Sequence, residues 1–165
     1  MPGTSPFEGK LVRLINQFLQ EAELPGLSYR LKQSHFYTQF VDVLVDSANP
    51  IYYLAIECKS MGPTSDKIYF SSHFSVDKKG EHQVTRISDF LNKTQRFGIL
   101  AIEKRHGRGK GSNEVVFLPW HQVERWYESG VKSIDPAALS EKYPRLVKSR
   151  DIGSFDYILQ ALRQF

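Results

Sequence analysis

Three residues carry the chemistry this sequence can do. Asp42 stands in QFVDVLVD (39–46), and Glu57 and Lys59 close the apolar run of YLAIECKSMG (53–62). A charge taken out of water costs several kcal/mol unless it is paired or ligated. Side chains alternate along a strand, so Glu57 and Lys59 share one face and Cys58 points to the other. A turn at 47–50 sets Asp42 opposite residues 55–57 in an antiparallel pair. Asp42, Glu57 and Lys59 therefore gather at one end of one hairpin. Two carboxylates with an open side suit Mg²⁺, which takes oxygen ligands and keeps several waters. Mn²⁺ is expected to substitute. The backbone carbonyl of Cys58 offers a further oxygen between the two. A nearby lysine orients a water and offsets charge developing at phosphorus. That is metal-assisted hydrolysis of a phosphodiester. The plainer alternative is an ion pair at a strand end.

The elements that must hold these residues follow from periodicity. Ser5-Pro6-Phe7-Glu8 reads as a helix start, with an N-cap serine, proline at the first position and glutamate three residues on. Phe7, Leu11, Leu14, Ile15, Phe18 and Leu19 recur at helical spacing, and Pro25-Gly26 ends the element. Residues 28–33 form a short edge strand. In 39–46, Val41, Val43 and Val45 share one face, and Asp42, Leu44 and Asp46 share the other. Residues 51–59 are apolar on both faces, which predicts a central strand. Residues 67–74, KIYFSSHF, alternate again and predict another strand. A helix is expected over 81–96, with Val84, Ile87, Phe90 and Leu91 inward. Strands follow at 97–102 and 114–118. Pro119 opens a short helix whose Trp120, Val123, Trp126 and Tyr127 are core residues. Residues 130–154 are irregular or weakly helical. Residues 155–165 form an amphipathic helix through Tyr157, Ile158, Leu162 and Phe165. The expected fold is α/β, one mixed β-sheet flanked by helices, in a single domain over 1–165.

The chain has 165 residues and 41% hydrophobic composition, enough for a real core. Its longest apolar runs fall well short of the ~20 residues of a membrane span. The first ten residues do not read as a signal peptide, and a single cysteine excludes an internal disulfide framework, so a cytoplasmic setting is expected. Net charge is +4, compatible with a polyanionic partner. Lys104, Arg105, Arg108 and Lys110 cluster in KRHGRGK (104–110) with two glycines between them. That loop suits phosphate contacts, which give affinity without sequence information; the bland reading is a solvated hairpin tip. The histidines at 35, 73, 82, 106 and 121 show no paired metal spacing.

Asp42 followed by Glu57-Cys58-Lys59 at the end of the next strand resembles the D…(E/D)xK signature of the PD-(D/E)xK nuclease superfamily, whose core is restriction-endonuclease-like. Helix, motif strands, helix and strand also follow its order. The likeness is greatest to the archaeal Holliday junction resolvase group and covers about residues 5–118. The rest, 119–165, is a C-terminal helical extension with no recognised counterpart. Val41 stands where the motif's name has proline. The resemblance implies a Mg²⁺-dependent endodeoxyribonuclease acting on branched DNA. It implies Asp42, Glu57 and the Cys58 carbonyl on the metal, with Glu8 of the first helix added, and Lys59 on the water. It also implies an active-site role for Gln83 at the start of the second helix. Glu8 has a competing explanation as the partner of Ser5 in a capping box. Resolving a junction takes two symmetric cuts, so a homodimer is implied. The alternatives are a restriction- or repair-type nuclease on linear DNA, or a non-catalytic DNA-binding module.

Overall fold

The structure is a computed structural model, and it describes residues 6–32, 39–107, 113–146 and 155–165. Helix α1 (Pro6–Glu21) opens with its proline at the first position, where the missing N–H costs nothing. It ends earlier than Pro25-Gly26. Leu24 N–H donates to the Leu19 carbonyl and Glu23 N–H to that of Gln20, with Glu23 at φ 54°. This is a Schellman closure with glutamate in the left-handed position usually given to glycine. The expected cap at Ser5 lies outside the described residues. The chain then turns back into β1 (Leu27–Arg30). The Asn16 amide grips β1 by donating to the Ser28 carbonyl at 3.0 Å and accepting the Ser28 N–H at 2.7 Å.

Strand β2 (Val43–Asp46) is shorter than the alternation predicts. Asp42 N–H donates to the Ile56 carbonyl, yet Val43 is the residue in register with Ile56. Two residues thus face one, an offset of the β-bulge kind. The chain bends at Asp42. Beyond the bend the alternation slips. Val43 and Val45 pack in one half of the core, but Val41 joins Leu44 in the other, correcting the expectation that the three valines share a face.

A 3₁₀ turn at Pro50–Tyr52 delays β3 (Leu54–Met61), which is central as predicted. Residues 67–74 are not one strand. They divide into β4 (Ile68–Tyr69) and a helical turn, α2 (Phe70–His73). Helix α3 (Gln83–Thr94) leads to β5 (Phe97–Lys104), and β6 (Glu114–Pro119) runs directly into α4 (Trp120–Glu128). The stretch expected to be irregular supplies β7 (Ser133–Ile134), α5 (Pro136–Leu139) and β8 (Arg145–Leu146). Helix α6 (Phe155–Leu162) closes the order. Its buried face runs through Phe155, Ile158, Leu159 and Leu162, while Tyr157 is 69% exposed and Phe165, beyond the helix end, is partly exposed and packs on the Tyr143 ring.

Six strands make one mixed sheet in the order β1-β2-β3-β5-β6-β8, with β4 and β7 paired separately. β3 and β5 are parallel and every other neighbouring pair is antiparallel. On one face, Phe7, Leu11 and Ile15 of α1 and the buried residues of α6 pack on Val43, Ile56, Ala101 and Phe117. On the other, Val84 and Ile87 of α3 and Trp120 and Val123 of α4 pack on Leu44, Ala55, Leu100 and Leu118. This α/β sandwich, helices on both faces of a mixed sheet, is the architecture expected from the sequence. No helix among the described residues is long and apolar enough to cross a membrane.

Candidate active site

The site forms where β3 leaves the core. Ala55 and Met61 belong to the α3 side of the core, while Ile56 and Cys58 belong to the α1 side. Alternation therefore turns Glu57 and Lys59 toward α3. Glu57 is only 3% exposed. Its Oε1 accepts from Lys59 Nζ at 2.8 Å and from Gln83 Nε2 at 2.8 Å. Its Oε2 is buried and has no partner among the described residues. An unpaired buried carboxylate oxygen costs free energy. Burial is the main cause that raises the Glu57 carboxyl, with the Asp42 charge adding to it. Lys59 and Gln83 pull the other way, and the balance stands at about 7.

Lys59 is fixed from three directions. Its ammonium reaches Glu57 and lies 3.4 Å from Gln83 Oε1. It also stands over the Phe74 ring at 4.6 Å from the centroid, which gives a cation–π contact in a desolvated setting. Gln83 is the first residue of α3 and accepts the Ser75 N–H at 3.1 Å. His82 caps that helix, accepting from Val84 N–H through Nδ1 and meeting the Phe70 carbonyl through Nε2. The helix start that delivers Gln83 is thus held by a ring stacked on Tyr127.

Asp42 reaches the site from the bend before β2. Its Oδ2 accepts the Cys58 N–H at 2.8 Å and its Oδ1 accepts from Gln39 Nε2 at 2.8 Å. The Cys58 side chain packs in the core on the α1 side, as expected, so only its backbone belongs to the site. Glu8 comes from the first turn of α1 and pairs with Arg30 of β1. Burial, and then the Asp42 charge, raise the Glu8 carboxyl above its usual value against the pull of Arg30 and Lys59. Glu8 thus stands in the field of the same group, with Arg30 as its partner.

The group thus comprises two ion pairs, Glu57 with Lys59 and Glu8 with Arg30, and Asp42, whose charge is felt by both Glu8 and Glu57. Among the described residues, no three histidine, cysteine or carboxylate side chains form a preformed metal-holding cluster. The donor set still fits Mg²⁺. That ion is commonly held by one or two carboxylates with waters completing its shell. The orphaned Glu57 Oε2 is an oxygen such an ion would satisfy, and Asp42 is the carboxylate across the strand pair.

The basic loop divides. The Lys104 ammonium is held by the carbonyls of Gly62, Pro63 and Ser65, with Asp66 at 3.8 Å. Arg105 is exposed, and its backbone N–H donates to the Met61 carbonyl. Arg108 and Lys110 lie outside the described residues, as does His35. Arg30, Phe74, Ser75 and Gln39 were missed by sequence reasoning. Arg30, Phe74 and Ser75 reach the site through tertiary packing that no local spacing marks, whereas Gln39 reaches Asp42 from three residues before it at the bend.

No protein-family model and no curated protein matches the chain. Among solved structures it is similar to Hjc, a Holliday junction resolvase of the archaeal hyperthermophile Archaeoglobus fulgidus. Identity is 18%, over 76% of this chain and 88% of that one, with a TM-score of 0.44. At that level of likeness, the site is read from its own geometry.

Proposed function

We propose that this protein is a metal-dependent endodeoxyribonuclease with a restriction-endonuclease-like core, and that the Asp42/Glu57/Lys59 group hydrolyses DNA phosphodiesters. The observation that carries the reading is the buried Glu57 carboxylate. One of its oxygens is held by Lys59 and Gln83, and the other is buried without a partner among the described residues. That oxygen is an acceptor a bound cation would satisfy. Glu57 and Asp42 would hold a Mg²⁺ ion, with the Cys58 carbonyl and Glu8 as further candidates. The chemistry such an ion supplies when bound is a lowered pKa for a water and stabilisation of charge at phosphorus.

The protein's own residues do the rest. Lys59 presents an ammonium held by Glu57, Gln83 and the Phe74 face, so its position is set before substrate arrives. From there it orients a water and offsets negative charge at phosphorus. Gln83 holds Lys59 and Glu57 in one arrangement. Asp42 ties the bend before β2 to the backbone of β3, fixing the two carboxylates relative to each other. Exposed Arg105 is the described member of the basic loop best placed to meet a phosphate backbone.

Branched DNA is the proposed substrate, on the motif's resemblance to junction resolvases. Two symmetric cuts in a junction need two sites, so the proposal includes a homodimer. Two measurements test it together. Calorimetric titration with Mn²⁺ should show binding that Glu57→Gln removes. Nicking of a synthetic four-way junction should exceed nicking of linear duplex of the same sequence. Equal nicking of both would move the protein to the linear-DNA class.

A second reading is a DNA-binding module that does not cut. It is favoured by one observation: Arg30 and Lys59 already neutralise Glu8 and Glu57. Salt-sensitive DNA binding with no measurable Mn²⁺ binding would select it.

A further inference from the structure

Three arginines bury their Nε atoms without a partner among the described residues: Arg30, Arg86 and Arg96. Arg30 pairs with Glu8, and Arg96 with Asp46. Arg86 of α3 is only 8% exposed, yet it pairs with no carboxylate among the described residues. A buried cation is costly unless a counter-charge or hydrogen bonds offset it, and an apolar side chain of similar size often packs as well. What Arg86 holds accounts for its place.

Its guanidinium reaches back to the segment before the helix, the direction helical side chains take. Nη1 donates to the Glu81 carbonyl at 2.6 Å, and Nη2 donates to the Ser75 hydroxyl at 2.9 Å. Ser75 and Glu81 stand on opposite legs of a small hairpin. Val76 and His82 bridge the legs, Asp77 N–H donates to the Glu81 carbonyl, and Gly80 N–H donates to that of Asp77. The Asp77 carboxylate accepts the N–H groups of Lys79 and Glu81 and so organises the turn. A hairpin this short is marginal by itself in water. One planar guanidinium, with its donors at fixed spacing, ties both legs to α3.

Both legs end on the candidate site. The incoming leg carries Ser75 and, before it, Phe74, whose ring lies against the Lys59 ammonium. The outgoing leg delivers Gln83. Gln83 N–H donates to the Ser75 carbonyl at 2.7 Å, and Ser75 N–H donates to Gln83 Oε1 at 3.1 Å. The second of these bonds sets the amide. With Oε1 turned to Ser75 and Lys59, Nε2 donates to Glu57 Oε1 at 2.8 Å. A Gln83 amide turned over would set its oxygen against that carboxylate. Among the described residues Arg86 makes no side-chain hydrogen bond to Glu57, Lys59 or Gln83, so its influence on them runs through Ser75.

We propose that Arg86 is a positioning residue for the hydrolytic site: its guanidinium fixes both legs of the 75–82 hairpin, so that Ser75 sets the Gln83 amide and Phe74 sets Lys59. The proposal rests on the hydrolase reading of the Glu57–Lys59 group.

The test uses the full chain with Arg86→Met, Arg86→Lys, Gln83→Ala and the Arg86→Met/Gln83→Ala double variant, each checked for folding by thermal unfolding. Should Arg86→Met not fold, Ser75→Ala, at an exposed position, removes the Nη2 acceptor and is read in the same ways. The first readout needs no cleavage. The Gln83 side-chain amide signal of metal-free protein, assigned by its loss in Gln83→Ala, should move toward the free-glutamine position in Arg86→Met and in Arg86→Lys, which lacks the fork. An unmoved signal in both would overturn the proposal. The second readout is cleavage of a four-way junction with Mg²⁺. Arg86→Met should lower kcat about tenfold with KM unchanged, yet lower it by about twofold or less in the Gln83→Ala background. Losses that multiply in full would mean that Arg86 does not act through Gln83, and would also overturn it. If wild type cuts, Glu57→Gln does not, and Arg86→Met cuts as wild type does, the positioning role fails alone. If wild type does not cut, the hydrolase reading fails, and the amide signal still decides whether Arg86 sets Gln83.

Discussion

Glu57 is the residue on which the proposed chemistry turns, and its environment gives a pH signature. Burial first, then the Asp42 charge, raise its carboxyl to about 7 from the usual 4.5, against Lys59 and Gln83. Between those values the folded protein binds more protons than the unfolded chain, so stability falls as pH rises through that window. The raised Glu8 carboxyl adds to the slope in the same direction. Urea unfolding of metal-free protein should therefore show lower stability at pH 7.5 than at pH 5, and Glu57→Gln should remove the larger part of the difference. An unchanged slope in that variant would assign the effect to another group. The Glu57/Lys59 pair was legible in the sequence because two charges ended an apolar strand at a spacing of two. Asp42 was legible from the hairpin arithmetic, although the bend that aims it was not. Arg30 and Phe74 left no local trace, because their closeness to Glu8 and Lys59 depends on how α1, β1 and α2 pack.

At the scale of elements, the site depends on where α3 begins, and α3 is seated over the start of β5. Gly98 permits that seating. A Cβ there would meet the Leu91 side chain and come within 2.7 Å of Trp120 Cβ. Trp120 also donates through its indole N–H to the Ser88 hydroxyl at 3.0 Å, locking α4 to α3. Gly98→Ala should cost ~1–3 kcal/mol by overpacking, measured as a lower denaturation midpoint with the slope unchanged. The long elements were legible: α1 and α3 by helical period, β3 by apolar residues on both faces. KIYFSSHF misled because Ile68, Phe70 and Phe74 fit a strand period. Phe70 and Phe74 are in fact buried at a helical spacing of four and stack on one another. β8 has two residues, too few to show any period.

At the scale of the molecule, α6 closes the core that α1 begins. Phe155 is fully buried and packs edge-on against Phe18 of α1 and Phe117 of β6. Phe155→Ala should cost ~3–5 kcal/mol, seen as a large fall in midpoint temperature. A loss below 1 kcal/mol would mean that α6 is not part of the cooperative fold. That core holds β3 from one side while α3 and α4 hold it from the other, so its charged end is presented by a rigid frame. The central claim is that this charged end cuts DNA. The most direct measurement is cleavage of a four-way junction by wild type and Glu57→Gln in parallel, with Mg²⁺ and with chelator. Cleavage by wild type in Mg²⁺ alone, with no cleavage by Glu57→Gln although it still binds the junction, is the predicted result. Equal cleavage by the two proteins, or none by wild type with Mg²⁺ or Mn²⁺ present, would contradict it.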